Sequence, residues 1–306
     1  MNLSRAIAYQ INYFMSIHRF RGARFIRSLV KTVLIPPPKG KTTCRIPYGF
    51  SLIVDPILDK GVERNIYFYG GYEYGTLEIM KRILDRGDVF IDAGSNVGLM
   101  TLASSKFVGI GGMVYSFEPY PETYQILSDN LILNRAQNIK AYNFALGGER
   151  GKSFIYSNMS VNRGSSSLLK PSNIDTKAEV VNIITLDEFI EKEEILKIKM
   201  IKVDVEGWEL EVFLGARKLL SGKTAPIICF EYSENIMNQK IQKQDLYEYV
   251  RSVNEYHVFR LEYGKECPSK LIPITSRAQL PKHDNLFCFL PVHLQCPKIS
   301  QLLKPI

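Results

Sequence analysis

The chain has five cysteines, an odd number, and no two of them show Cys-x-x-Cys spacing. This excludes a fully paired disulfide framework and the common zinc and dithiol signatures. Cys229 and Cys288 sit inside apolar runs, where a buried, inert thiol is expected. A reducing, cytoplasmic setting is expected. No stretch has the length and purity of a membrane-spanning helix. Gln10 and Asn12 interrupt the first apolar region and no small-residue cleavage site stands out, so no secretory leader is expected. Acidic residues are missing from positions 1–39, which hold Arg5, Arg19, Arg21, Arg24, Arg27, Lys31 and Lys39. Those seven side chains supply most of the net charge of +8, so the body is nearly neutral. A nucleic-acid enzyme more often carries its positive charge around the cleft, and no nucleic-acid partner is expected.

The 306 residues, 45% of them hydrophobic, can bury a large core without metals or disulfides. The most informative segment is Val-Phe-Ile-Asp-Ala-Gly-Ser-Asn-Val-Gly at 89–98. A short apolar strand ends in Asp92, a turn runs from Gly94 to Gly98, and a helix-like stretch follows. The spacing is Asp-x-Gly-x-x-x-Gly, not the Gly-x-Gly-x-x-Gly of dinucleotide sites. A carboxylate here would repel a pyrophosphate and attract a sulfonium or an amino group. The loop therefore favours S-adenosylmethionine over NAD.

Four regions are expected. Residues 1–40 form a basic helical arm, stopped by Pro36, Pro37 and Pro38. Residues 41–85 hold a small β unit and a lead-in helix at 74–85. Residues 86–295 alternate strands and helices, which means a mainly parallel α/β sheet. Its strands are expected at 89–92, 113–118, 139–146, 199–205, 226–232, 256–262 and 286–291, with helices at 97–107, 121–135, 208–220 and 242–253. An insertion at 151–185 breaks the rhythm, and residues 296–306 form a tail. The plain reading of residues 1–34 is a cap packed on the body. The sharper one is an arm on an anionic surface, peripheral to the inner face of a membrane.

Ligands of parallel sheets sit at the carboxyl ends of strands. Glu118, before Pro119, ends the second strand and can accept from both ribose hydroxyls. The plainer alternative is a helix N-terminal charge. Asn143 and the backbone near Ala145 border the expected adenine position. Asp204 and Glu206 end the fourth strand, where i and i+2 share a face. A buried acid pair needs a cationic or donor partner, and a sulfonium, a hydroxyl or a metal would serve. The alternative for Glu206 is a helix cap. Glu73 and His283 should also reach this face, whereas His257 opens a parallel strand on the far side.

These segments together resemble the FkbM-type family of S-adenosylmethionine-dependent methyltransferases, within the class I methyltransferase fold. The matching residues are Gly70-Gly71-Tyr72-Glu73, Phe90-Ile-Asp92-Ala-Gly94-Ser-Asn96-Val-Gly98, Phe117-Glu118-Pro119, Ser165-Ser166-Ser167-Leu168, Thr185-Leu186-Asp187, Ile201-Lys202-Val-Asp204-Val-Glu206-Gly207 and Phe230-Glu231. They span roughly residues 60–290. The resemblance implies a Rossmann-like, seven-stranded sheet with one antiparallel strand. It also implies O-methylation of a hydroxyl on a sugar, a polyketide-like compound or another small molecule.

The expected cofactor residues are Glu73, Asp92, Gly94, Ser95, Asn96, Gly98, Glu118, Asn143 and Ala145. Asp204, Glu206, Glu231 and His283 are the catalytic candidates, and the proton acceptor stays open among them. No metal ligand is assigned, although some class I O-methyltransferases place a divalent ion at this edge. The expected partner is a small-molecule or glycan acceptor. The competing readings are an NAD-dependent oxidoreductase on the same kind of sheet and a non-catalytic adenosine-binding scaffold.

Overall fold

The computed structural model describes residues 3–18, 22–158, 162–169, 177–234 and 245–304. Arg19 and Arg21 of the arm, parts of the insertion, and 242–244 of the expected helix lie outside them. The chain opens with α1 (Leu3–Ile17) and α2 (Ala23–Leu34). A hairpin follows, β1 (Thr42–Ile46) and β2 (Phe50–Val54), then α3 (Val62–Tyr69) and α4 (Tyr74–Ile83). The arm is docked on the body. Tyr9 donates to the Tyr67 carbonyl at 2.6 Å and Asn12 to that of Phe68 at 3.2 Å. A Cβ at Gly70 would fall 2.7 Å from the Tyr9 ring, so a glycine there lets α1 settle.

The apolar runs then become the central sheet: β3 (Val89–Ala93), α5 (Leu99–Val108), β4 (Met113–Phe117), α6 (Pro121–Leu133) and β5 (Ile139–Tyr142). After Tyr142 the chain leaves this sheet, so the expected strand 139–146 is split. β6 (Ala145–Leu146) joins β7 (Gly151–Asn158), β8 (Asn162–Ser167) and β9 (Lys177–Ile184) in a second sheet, which is the insertion.

The main chain returns through α7 (Leu186–Lys192), β10 (Met200–Val203), α8 (Glu209–Leu214), α9 (Arg217–Leu220) and β11 (Ile227–Ser233). One helix expected at 208–220 is thus two. They part at Gly215, whose Cβ would lie 1.9 Å from the Gly147 carbonyl oxygen. Then come α10 (Leu246–Val253), β12 (His257–Leu261), β13 (Leu271–Ile274) and β14 (His283–Phe289), and short helices α11 (Pro291–Leu294) and α12 (Pro297–Ser300) close the described chain.

The sheet order is β13-β12-β14-β11-β10-β3-β4-β5. The seven expected strands are there, with β14 antiparallel to β11, as in the class I methyltransferase fold. An eighth, β13, adds a second antiparallel partner at the edge. Its central proline makes Leu-Ile-Pro-Ile a poor interior strand, but an edge tolerates the missing donor. Successive residues feed opposite faces: Phe90, Met200 and Cys229 pack in one core, Ile91, Ile201 and Ile228 in the other. Both faces are covered, which is why these strands are continuously apolar.

Candidate active site

A cavity of about 410 Å³ opens at the carboxyl ends of β3, β4, β10 and β11. It has two halves. In the first, the 94–98 loop is hooked to the end of β4. The Gly94 and Ser95 N–H groups both donate to the Phe117 carbonyl at 3.0 Å. Ser95 Oγ donates to the Asp92 carbonyl at 2.9 Å and accepts from the Phe117 N–H at 3.1 Å. Gly94 has φ 85°, and a Cβ there would lie 1.8 Å from the Asp204 carbonyl oxygen. Only glycine fits this crossing of the two strand ends.

Glu118 stands beside the loop. Its Oε2 accepts from the Asn96 N–H at 2.9 Å and its Oε1 from the Tyr120 N–H at 3.0 Å. Each oxygen keeps a second acceptor site for a ribose hydroxyl. Burial pushes this carboxyl up to about 7 despite those donors. Phe144, Ile155 and Leu168 supply an apolar wall for a base.

The second half is ionic. Lys202, 3% exposed, donates to Asp204 Oδ2 at 2.6 Å. Burial is the largest influence on both and disfavours both charges, yet Lys202 and Lys265 together hold the Asp204 carboxyl low, and Asp204, Glu73 and Asp92 together hold the Lys202 ammonium high. Burial raises Glu206 well above the carboxylate range, helped by the charges of Asp204 and Glu231. Glu231 rises to about 8 through burial and the Asp204 charge, although Lys265 pulls it back. Burial and the Lys265 charge lower His283, keeping its imidazole neutral near pH 7. Three non-glycine residues at positive φ line the cavity: Glu73 (51°), Asn96 (49°) and Glu206 (53°). Backbone strain of this kind gathers at functional sites.

All four catalytic candidates, Asp204, Glu206, Glu231 and His283, line the cavity. Of the cofactor candidates, Glu73, Gly94, Ser95, Asn96, Glu118 and Ala145 do so. Asp92, Gly98 and Asn143 do not. Asp92 is buried beneath the loop, where its Oδ2 accepts from Thr101 at 2.5 Å. Gly98 caps α5, and a Cβ there would meet Leu127 at 2.7 Å. Asn143 is exposed and donates to the Glu118 and Pro119 carbonyls at 2.9 and 3.0 Å, so it braces the Glu118 loop from outside.

Asp204 and Glu206 do not share a strand face, because β10 ends at Val203 and the chain turns through Glu206 and Gly207. Nor does Glu206 cap the next helix. The N-cap position is Trp208, with no side-chain cap, and Glu209, the first helical residue, folds back to accept from the Val205 and Gly207 N–H groups of the turn at 3.1 and 3.2 Å. Thr185 and Asp187 are structural: Thr185 caps α7, and Asp187 accepts from the first N–H groups of α9.

Two lysines went unassigned by sequence reasoning. Lys202 carried a signal, since a lysine inside an apolar strand two residues before an acid needs a buried partner. Lys265 carried none, because it lies in a connecting loop remote in sequence from the residues it touches.

The methyltransferase FkbM domain matches residues 92–264. The chain belongs to the FkbM methyltransferase family. Among curated proteins, the chain is 29% identical over 158 residues to the hexuronic acid methyltransferase AglP of Haloferax volcanii, covering 51% of this chain and 61% of that protein. It is 26% identical over 142 residues to Methyltransferase 1 of Beauveria bassiana, covering 41% and 57%. The chain thus spans about three fifths of the length of these relatives. A precorrin-6y C5,15-methyltransferase from Geobacter metallireducens overlaps 71% of this chain and 88% of its own, at 11% identity and a TM-score of 0.40.

S-adenosylmethionine is the cofactor of an FkbM methyltransferase domain. The residues present fit it. Glu118 offers acceptors for a ribose, the 94–96 loop lines the cavity beside it, and the apolar wall suits adenine. Burial raises the carboxyls of Glu118, Glu206 and Glu231, so a cation brought beside them would favour their ionised forms. A sulfonium and an ammonium are such cations.

Proposed function

We propose that this protein is an S-adenosylmethionine-dependent O-methyltransferase. Its acceptor would be a hydroxyl on a sugar, a polysaccharide precursor or another small metabolite. The observation that carries this reading is the ring of carboxylates, Asp204, Glu206 and Glu231, beside the loop that suits the cofactor. Carboxylates accept a hydroxyl's proton and orient it. No Asn/Asp-Pro-Pro-Tyr segment, typical of amino-group methylation, stands at the fourth strand end, which carries Asp204-Val-Glu206 instead. The similarity to a hexuronic acid methyltransferase supports a sugar acceptor.

When bound, the cofactor supplies a methyl group on a sulfonium, whose transfer to oxygen leaves S-adenosylhomocysteine and frees one proton. The protein's part is to align the acceptor oxygen and take that proton. Among the four candidates Glu231 suits the proton best. Asp204 is held ionised by Lys202 and is a weak base. Glu206 is kept protonated. Among the described residues Lys265 and His283 meet Glu231 at Oε1, which leaves Oε2 for the acceptor. A base is most effective when its pKa lies near the working pH. Glu118, Asn96 and the glycine loop bind, while Asp204 and Glu206 orient.

The test is a transfer assay with methyl-labelled cofactor against a panel of free and nucleotide-linked sugars, uronic acids, polyols, amino sugars and amines. Methyl ether formation on a hydroxyl supports the reading. Label found only on nitrogen acceptors would overturn it.

A further inference from the structure

Glu73, Asp204 and Glu231 each bring one carboxylate oxygen within 4.8 Å of the others. Such an oxygen set suits a hard divalent cation. Lys265 already reaches into it. Its Nζ lies 3.0 Å from Glu73 Oε1 and 2.6 Å from Glu231 Oε1, and 3.1 Å from His283 Nε2. These contacts use the three donors of an ammonium. The loop that carries Lys265 is clamped. Its N–H donates to Asp284 Oδ1 at 2.8 Å, and its carbonyl accepts from the Gly75 and Thr76 N–H groups, at 2.9 and 3.2 Å, in the first turn of α4. A Cβ at Gly75 would come within 2.8 Å of the Lys265 and Cys267 carbonyl oxygens, so the approach depends on glycine. Glu73, Lys265 and His283 all lie outside the matched segment 92–264.

We propose that the Lys265 ammonium is a built-in cation, taking the place that a divalent ion would otherwise fill among Glu73, Asp204 and Glu231. It is a positioning residue that holds Glu231 and His283 at the acceptor end. The positioning role rests on the O-methyl-transfer reading, but the cation's placement does not.

The test is calorimetric titration with manganese(II) of the wild type, Lys265→Ala and Lys265→Met, the last keeping the side-chain stem in case the cavity left by alanine unfolds the protein. The wild type should bind no ion at the cluster. The variants should each gain one ion with an affinity of about a millimolar or tighter, lost again when Glu231→Gln is added. Turnover should fall about 10²-fold in the variants, in kcat more than KM, and manganese should restore part of it. An ion bound by the wild type and lost in Glu231→Gln would overturn the proposal. So would two folded variants that gain none. Ion capture needs no acceptor, so a failure of methyl transfer leaves this result readable.

A separate observation concerns the arm. Phe25, Leu29 and Val33 share one face of α2 and are 73, 52 and 68% exposed. Ile7 and Phe14 on α1 are exposed as well. Residues 1–54 hold nine Lys or Arg and no Asp or Glu. An apolar face on a segment of one charge sign fits an anionic bilayer. We infer that α1 and α2 rest on an anionic membrane surface. The protein should sediment with phosphatidylglycerol-containing vesicles and not with phosphatidylcholine alone. High salt, or the triple change Phe25→Ser, Leu29→Ser and Val33→Ser, should cut binding at least about tenfold. Vesicle binding unchanged by the triple variant, or no binding at all, would overturn this. So would a wild-type dimer that the triple variant splits, since a second copy would then cover the face.

Discussion

The two halves of the cavity are built differently. The cofactor half is local: the 94–96 loop, Glu118 and Ala145 come from one continuous stretch inside the matched segment. The half proposed to hold the acceptor is assembled from afar, with Glu73 ahead of the first central strand, Asp204 and Glu206 after the fourth, and Lys265 and His283 near the last. The first half is held by backbone hydrogen bonds and glycine crossings. The second is held by charge. A methyl donor is the same for every acceptor, so its half can be a short fixed motif. The acceptor half must differ with the acceptor, and side chains brought from separate loops allow that.

This contrast predicts which variants move which quantity. The largest effect belongs to Gly94→Ala, where a methyl group would collide with the Asp204 carbonyl at the junction of both halves. It should destabilise the fold by ~3 kcal/mol and abolish cofactor binding, read by thermal unfolding and calorimetry. Asp204→Asn should come next. It leaves the Lys202 ammonium buried without its ion partner, which costs ~3 kcal/mol in such pairs, and turnover should be lost. S-adenosylhomocysteine affinity should stay within a few-fold. Full turnover in this variant would remove Asp204 from the account.

Glu231→Gln should lower kcat by about 10²- to 10⁴-fold, as for a lost general base. It should also erase a rising limb near pH 8 in the rate profile, since the carboxyl titrates at about 8 and must be ionised to accept a proton. A limb that survives would move the role to another group.

The smallest effect is on stability. Glu118 and Glu209 titrate at about 7 and Glu231 at about 8, against about 4.5 when unfolded. Between these values the folded state holds more protons, so their contribution makes the ligand-free protein lose stability as pH rises from 5 to 8. The melting temperature should fall over that range, and Glu118→Gln should flatten the slope.

The same contrast explains what was legible in the sequence. Apolar runs, most of them ending in acids, located seven strands along the chain, because both sheet faces are buried and the strands are continuously apolar. The donor loop was readable because a tight crossing demands glycine at Gly94. The motif does not say which way Asp92 faces: the acid that ends the strand accepts a hydrogen bond from Thr101, and the cavity lining begins one residue later. Asn143 was misplaced because the strand leaves the sheet at that point, which no local pattern records. Lys265 was invisible because its partners are some 190 and 34 positions away, at Glu73 and Glu231.

The most direct test of the donor half is calorimetric titration with S-adenosylhomocysteine, with NAD alongside, on the wild type, Glu118→Ala and Asp204→Asn. The wild type should bind S-adenosylhomocysteine with micromolar affinity, and NAD should give no heat. Glu118→Ala should lose about 10²-fold, for two charge-assisted ribose hydrogen bonds, and Asp204→Asn should keep near-wild-type affinity. Binding of NAD alone, or S-adenosylhomocysteine affinity indifferent to Glu118, would contradict it.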